Sequence, residues 1–397
     1  MRTQREKILK AELHLKNCAK KIAMATIFVG LTLVQACGRE TYESELTVSS
    51  VAHTPVKRQS VGNCWLFALA SWMESLSLTR GLTLDVSESY WTYWDWFERL
   101  TDGRAAVLSA GGDWQRAIEL SNRYGWVAED VFFVPEEAMN DVDRQGCAED
   151  FINKELAEDG RLFDRGDEAR DPERVRTILN EAFTCGSSIP VDAVAIREQS
   201  SLSIQDTLLR QPTEDVDRSM DELMRSWKST SNPYSRADLR SLKKLPSMEV
   251  LDRFAEIEKR IKRAVNDNMP VILSWHVDFN AVDRNGTFNT KTLARKGYSS
   301  EGGGHMVVLR DYTVTNVPDI GRLGEGEMGS ELKEAALLGD LDYLVVKNSW
   351  GSDRADRPWL KTGDSRITWD YLQQRFSPPG IRLNRPMFFA AVLPPGY

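Results

Sequence analysis

Histidine and cysteine are scarce in this chain: four and five copies among 397 residues. So few cysteines exclude a disulfide framework as the main source of stability, and a chain of this length buries ample core without one. So few histidines leave little choice for any reaction that needs an imidazole, because residues 37–397 hold only His53, His276 and His305. A basic stripe is also missing. Residues 1–36 carry seven Lys/Arg against two Asp/Glu, so the formal charge of −8 divides into +5 there and −13 over residues 37–397. An acidic body of this kind argues against nucleic acid as the partner. Apolar runs long enough to span a bilayer are absent too. The run Ile22–Ala36 has fifteen residues, which suits the core of a secretory signal better than a membrane span. Internal repeats and low-complexity tracts are absent.

What is present has a clear order. The basic segment "KILKAELHLKNCAKK" precedes Ile22–Ala36, and the junction "LVQAC" ends in Cys37. That junction resembles a bacterial lipobox, which implies lipidation of Cys37 as the mature N-terminus; a simple signal peptide or a short buried helix are the alternatives. The expected plan is a leader over 1–36, a tether over 37–50, a helical lobe over 51–247 with an insertion at about 140–247, and a β-rich lobe over 248–397. The expected localisation is the cell envelope, anchored to a bacterial membrane by lipid.

Asn63 to Gly81 has helical spacing, with Leu66, Phe67, Leu69, Ala70, Met73 and Leu76 recurring at three- and four-residue steps. Asn63 suits an N-cap, which sets Cys64 in the first turn. "SESYWTYWDWFERL" and "GGDWQRAIELSNRYG" continue as aromatic-rich helices, whose Trp91, Trp94 and Trp96 read as core. Residues 148–250 are charged, with helical stretches broken by Pro172, Pro190, Pro212, Pro233 and Pro246. Met248–Asn266 is a charged amphipathic helix. "PVILSWHV", "HMVVLRDYTV", "DYLVVKNSW" and "PMFFAAVL" then read as strands, with a long loop over Asn316–Asp340. The fold class is α+β.

A thiol at a helix N-terminus with an imidazole nearby is an activated nucleophile. Cys64 has the helix. His305 opens a strand behind three glycines, of which Gly303 and Gly304 let a substrate backbone approach. Asn348 in "VVKNSWG" can fix the tautomer of His305. Gln59 and the Cys64 backbone N–H can hold an oxyanion. His276, on a strand between Trp275 and Val277, is the rival base. His53 lies close to the tether. Cys147 and Cys185 either pair or remain buried thiols.

In this order Gln59, Gly62, Cys64, Trp65, then "GGGHMVVL", then Asn348, Ser349, Trp350 and Gly351 resemble the papain-like cysteine peptidases. The bleomycin hydrolase and aminopeptidase C branch looks nearest, through "LDVSESYWTYWDWFERL", "GGDWQRAIELSNRYGWVAEDVF" and "KNSWGSD". The resemblance covers most of residues 55–135 and 268–352 and is thin over 140–250. It implies a two-lobed fold with a β-barrel-like second lobe and the site between the lobes. It also implies a Cys–His–Asn mechanism acting on peptide or protein substrates without metal or cofactor, with Trp350 shielding the Asn–His hydrogen bond. There are departures. The Gln59-to-Cys64 spacing is one residue short, Val61 stands where papain itself has a disulfide cysteine, and the 43-residue gap from His305 to Asn348 requires a surface insertion. A cell-wall peptide amidase and an inactive binding lipoprotein on a peptidase scaffold are the other readings.

Overall fold

The computed structural model describes residues 51–102, 108–133, 141–163, 166–185, 190–234, 247–299, 302–326, 328–376, 385–386 and 389–397. The leader, the tether and Cys37 lie outside the described residues. No helix among those described is long and apolar enough to cross a membrane.

Helices dominate the first half. The segment with three-to-four spacing forms α1, Cys64–Leu78, which ends before Gly81 at φ 70°. Its apolar stripe is wider than the spacing implied, since Glu74, Ser75 and Ser77 are buried as well. A helix buried nearly all round belongs to the centre of a fold. Asn63 is its N-cap residue, but the Asn63 side chain makes no capping bond. Instead Nδ2 donates to Thr92 Oγ1 at 2.8 Å and to Gln145 Oε1 at 3.0 Å, which are stronger claims on a buried amide than one cap.

The aromatic-rich helices are α2, Glu88–Asp102, and α3, Trp114–Tyr124. Asp113 caps α3 by accepting from the Arg116 N–H, and Gly125 stops it at φ 68°. Trp91, Trp94 and Trp96 are buried, and Trp94 stacks on Tyr124 at 4.3 Å. Further on come α4, Asp141–Leu156, and α5, Pro172–Phe183, where Pro172 starts the helix rather than breaking it. A disulfide joins Cys147 of α4 to Cys185 just beyond α5, which settles the two cysteines as a pair.

The second half is built on one large sheet. Its strands are β1, Lys228–Ser231; β2, Ile272–Asp278; β3, Gly302–Val317; β4, Asp340–Lys347; β5, Asp364–Thr368; and β6, Phe389–Leu393. The amphipathic α6, Met248–Asn266, precedes β2. The order is β1–β6–β2–β3–β4–β5, antiparallel throughout, with the short strand Thr287–Phe288 added in parallel to β5. This is an open path whose ends, among the described residues, do not meet, so the barrel-like expectation gives way to an open α+β sheet.

The span Asn316–Asp340 is not a plain loop. β3 runs three residues past the expected strand, Gly321–Leu323 folds back onto it, and a helix spans Ser330–Leu338 before β4. The insertion between His305 and Asn348 is thus the distal part of a long hairpin.

Residues 51–59 form a strap joining α1 to the sheet. The Val51 N–H donates to Arg310, His53 Nε2 meets the Leu309 carbonyl at 3.0 Å, and Ser75 Oγ donates to the Ala52 carbonyl. The strap's Lys57 joins a charge network that is buried at Glu74 and Lys347 and open to solvent at Asp85. Lys57 Nζ lies 3.1 Å from Glu74, 2.7 Å from Asp85 and 3.2 Å from Glu88, while Lys347 Nζ lies 3.7 Å from Glu74 and donates to Thr54. Burial holds the Lys347 ammonium down at about 8.

Candidate active site

Helix α1 begins at Cys64, so the thiol sits in the first turn with only 8% of the residue exposed. Trp65 fixes that turn, donating from Nε1 to the Ala110 carbonyl at 2.7 Å; its ring occupies the space a Cβ at Gly112 would need. Burial pushes the Cys64 thiol up to about 11, against backbone hydrogen bonds from Met306, Trp65 and Cys64 itself. A helix N-terminus is therefore not enough here to give a thiolate, because desolvation outweighs it. The Met306 contact is informative in another way. It brings the sulfur against β3 one residue beyond His305.

On β3, His305 lies opposite Trp275 of β2, and the two rings meet edge-on at 6.2 Å. His305 Nε2 and Asn348 Oδ1 are 2.8 Å apart, and Asn348 Nδ2 donates to Ser365 Oγ at 3.0 Å. With Nε2 donating to the amide oxygen, Nδ1 is left as the basic nitrogen. The Trp350 ring stacks on the imidazole at 4.8 Å and 22°. Burial, above all, drives the His305 imidazole down to about 4, with the Arg357 charge adding to it, although Asn348 pulls it upward. The resting pair that burial favours is thus a neutral thiol and a neutral imidazole, rather than a preformed ion pair.

Gln59 lies under the same loop. Its N–H donates to the Ser349 carbonyl at 2.8 Å, its Oε1 accepts from the Ser349 hydroxyl, and its Nε2 donates to the Val61 carbonyl at 2.9 Å. The short Gln59–Cys64 loop is closed by these bonds, and one Nε2 proton remains for another acceptor. A Cβ on Gly303 or Gly304 would meet nothing within 4 Å, whereas one on Gly302 would press on the Val277 carbonyl at 2.3 Å. Packing demands a glycine at 302 only, so Gly303 and Gly304 leave open surface beside His305.

The other histidines are occupied differently. His276 lies opposite Gly304, one register step from His305, and burial lowers its imidazole while Asp278 raises it. Successive residues of a strand face opposite sides, so His276 and Trp275 do not share a face, and Trp275 is the one beside His305. His53 is tied into the strap, and burial keeps it neutral.

Sequence reasoning missed Arg357. Its guanidinium lies 4.7 Å over Trp350, on the ring that covers His305, and only its nearness to the Asn-Ser-Trp-Gly stretch hints at this. Among the described residues, no group of three or more His, Cys, Asp or Glu is placed to hold a metal ion. A broad cleft of about 820 Å³ runs beside Thr287–Phe288 between Asp283 and Asp370, and none of its lining residues belongs to the cluster around Cys64.

No family model and no curated protein matches the chain. Among solved structures it is similar to PepW from Lactobacillus rhamnosis, at 12% identity and a TM-score of 0.47, covering 89% of this chain and 82% of that one. It is similar to xylellain, a cysteine protease from Xylella fastidiosa, at 11% identity and a TM-score of 0.35, covering 87% and 85%. It is also similar to the clostridial cysteine protease Cwp84 after propeptide cleavage, at 13% identity and a TM-score of 0.34, covering 87% of this chain and 59% of that one.

Proposed function

We propose that the chain is a papain-like cysteine peptidase, tethered to a bacterial membrane through a lipidated Cys37, that hydrolyses peptide bonds with Cys64, His305 and Asn348. The observation that carries this reading is the 2.8 Å approach of His305 Nε2 to Asn348 Oδ1 beneath Trp350, with Cys64 at a helix start bonded to the next residue of the histidine strand.

In this mechanism the neutral His305 takes the Cys64 proton on Nδ1 as sulfur attacks the carbonyl carbon of the peptide bond. The oxyanion is held by the Cys64 backbone N–H and the remaining Nε2 proton of Gln59. His305 then gives its proton to the leaving amine. In the second half it takes a proton from water, which attacks the thioester and releases the acid as sulfur recovers its proton. Asn348 keeps the imidazole oriented, Trp350 keeps water from their hydrogen bond, and Gly303 and Gly304 give the substrate backbone room. Loss of peptide-library cleavage in Cys64→Ala, with stoichiometric labelling of the wild-type thiol by an active-site-directed epoxide, is the expected result.

A second reading, a binding lipoprotein on an inactive peptidase scaffold, draws support from the bonds that hold the Gln59 amide on Ser349 and Val61. It predicts a thiol that does not react with the epoxide. For the anchor, Cys37→Ser should release the protein to the soluble fraction or block its processing. Detergent-dependent partitioning that survives this change would contradict it.

A further inference from the structure

Arg357 has no role in the chemistry set out above, yet it stands two ring contacts from the base. Its guanidinium lies 4.7 Å over Trp350 and 5.0 Å over Phe279, and these two rings are 5.5 Å apart. Trp350 in turn lies 4.8 Å from the His305 ring. The side chain keeps a quarter of its surface exposed, and its Nη1 is buried with no hydrogen-bond partner. It is placed by stacking on aromatic faces, with only a long ion pair to Asp356 at 4.0 Å beside them.

The carboxylates nearby are spent elsewhere. Asp356 is forked by Arg354 through Nε and Nη2 and reaches Arg357 only at 4.0 Å. Arg354 also donates from Nη1 to the Trp350 carbonyl at 3.2 Å. Asp278, at the end of β2 next to Phe279, accepts from the backbone N–H groups of Asn280 and Ser299. Asp353 sits in the same loop as Asp356. Arg58 pairs with Trp350 across an isolated bridge and lays its side chain against Gly351. The Arg357 guanidinium is shifted down, chiefly by burial and then by the Arg354 charge, with Asp356 acting against them and Arg58 adding to them. A quarter-exposed cation whose one carboxylate neighbour, Asp356, lies 4.0 Å away and is forked by Arg354, on an aromatic wall beside the base, stands out in a body of net charge −13.

We propose that Phe279, Trp350 and Arg357 form a carboxylate-binding subsite on the leaving-group side of the Cys64–His305 pair, selecting peptides with an acidic side chain or a free C-terminal carboxylate there. The proposal deepens the peptidase reading and rests on it. His305 must deliver its proton to the leaving amine, so the departing segment passes the imidazole and the ring stacked on it. An extended chain covers about 3.3–3.6 Å per residue. Two stacking steps of 4.8 and 4.7 Å therefore put the guanidinium about two to three residues beyond the scissile bond. A guanidinium presents a planar fork that matches a carboxylate, and its position on two rings is fixed before substrate arrives.

The test is a set of internally quenched peptides identical except for Asp, Asn or Lys at the second and third positions after the scissile bond. For the wild type at low salt, kcat/KM for Asp should exceed that for Lys by about five- to tenfold, shrinking as salt rises. Arg357→Gln should erase the difference, Arg357→Glu should reverse it, and Arg357→Lys should keep most of it. A role confined to bracing Trp350 would slow all peptides alike, so equal losses across Asp, Asn and Lys would overturn the subsite. Wild-type indifference to the charge would do the same. Affinities of the same peptides for Cys64→Ala give a readout that needs no turnover. Tighter binding of the Asp peptide without wild-type hydrolysis would condemn the peptidase reading alone, and binding indifferent to charge would condemn the subsite.

Discussion

The two sides of the site hold their reactive groups by different means. Helix α1 presents Cys64 through backbone: the thiol sits where the helix starts, and its recorded hydrogen bonds are to main-chain groups. The sheet presents His305 through side chains, with Asn348 on one nitrogen, Trp350 on a face and Trp275 at an edge. A backbone-held group is hard to misplace by a single substitution, because its position follows from a whole helix. A side-chain-held group can be loosened piece by piece. The helix side should therefore fail all at once and the sheet side by degrees.

The largest effects test that contrast at its ends. Cys64→Ala should leave no measurable peptide hydrolysis, and His305→Ala should lower kcat/KM by about 10⁴-fold or more. Full activity in His305→Ala, with loss in His276→Ala, would move the base to the neighbouring strand. Next comes the joint between the two sides. Glu74→Ala leaves Lys347 buried without its carboxylate and Thr54 without its acceptor, a change that should cost about 3–5 kcal/mol in urea denaturation. Unchanged stability would show that Lys57 and Asp85 carry the network without Glu74.

Asn348→Ala, which removes one of three contacts on the imidazole, should lower kcat by about 10²-fold with residual turnover. Trp350→Ala should lower it less. Equal losses in these two variants and in His305→Ala would erase the graded behaviour expected of the sheet side. A smaller effect should follow Gln145→Leu. It leaves Asn63, the residue before the nucleophile, with one fewer buried acceptor, for about 1–3 kcal/mol.

The pH dependence is the mildest probe. The folded His305 imidazole lies at about 4, below its ordinary value of 6.5. Between those values the unfolded chain binds the extra proton, so this residue's contribution to stability is complete above pH 6.5 and is lost as pH falls through 4. The acid limb of kcat/KM should likewise lie nearer 4 than 6.5. A limb at 6.5 or above would mean that burial does not depress the His305 imidazole in the working enzyme.

Legibility in the sequence followed the range of the interactions. α1, α2, α3 and α6 were readable because an apolar stripe and a stop signal are local, and Gly81 and Gly125 fall where the helices end. Strand cores were readable as β-branched and aromatic runs, but their ends were not: β3 outruns its expected limit by three residues because Gly321–Leu323 pairs with it. The sheet's open path depends on pairings between strands far apart in sequence, which no local pattern encodes. In the site, the Asn-Ser-Trp-Gly stretch pointed to Asn348 and Trp350, which lie against His305. The fate of the Cys64 thiol was not legible, since the helix start argued for a lowered value and burial, a property of the whole fold, raised it. Arg357 was hidden for a similar reason: its meaning lies in the ring beneath it.

Strand β6, Phe389–Leu393, is inserted between β1 and β2. During synthesis the position between β1 and β2 stays vacant until residue 389 has been delivered, whereas the helices between residues 64 and 226 have their residues in hand long before. A nascent chain stopped anywhere short of residue 389 has β1 with no neighbour and one edge of β2 bare. The strand that carries the imidazole lies between β2 and β4, both complete by residue 347, so the late strand closes the β1 edge of the sheet and leaves the candidate site's own strands already flanked.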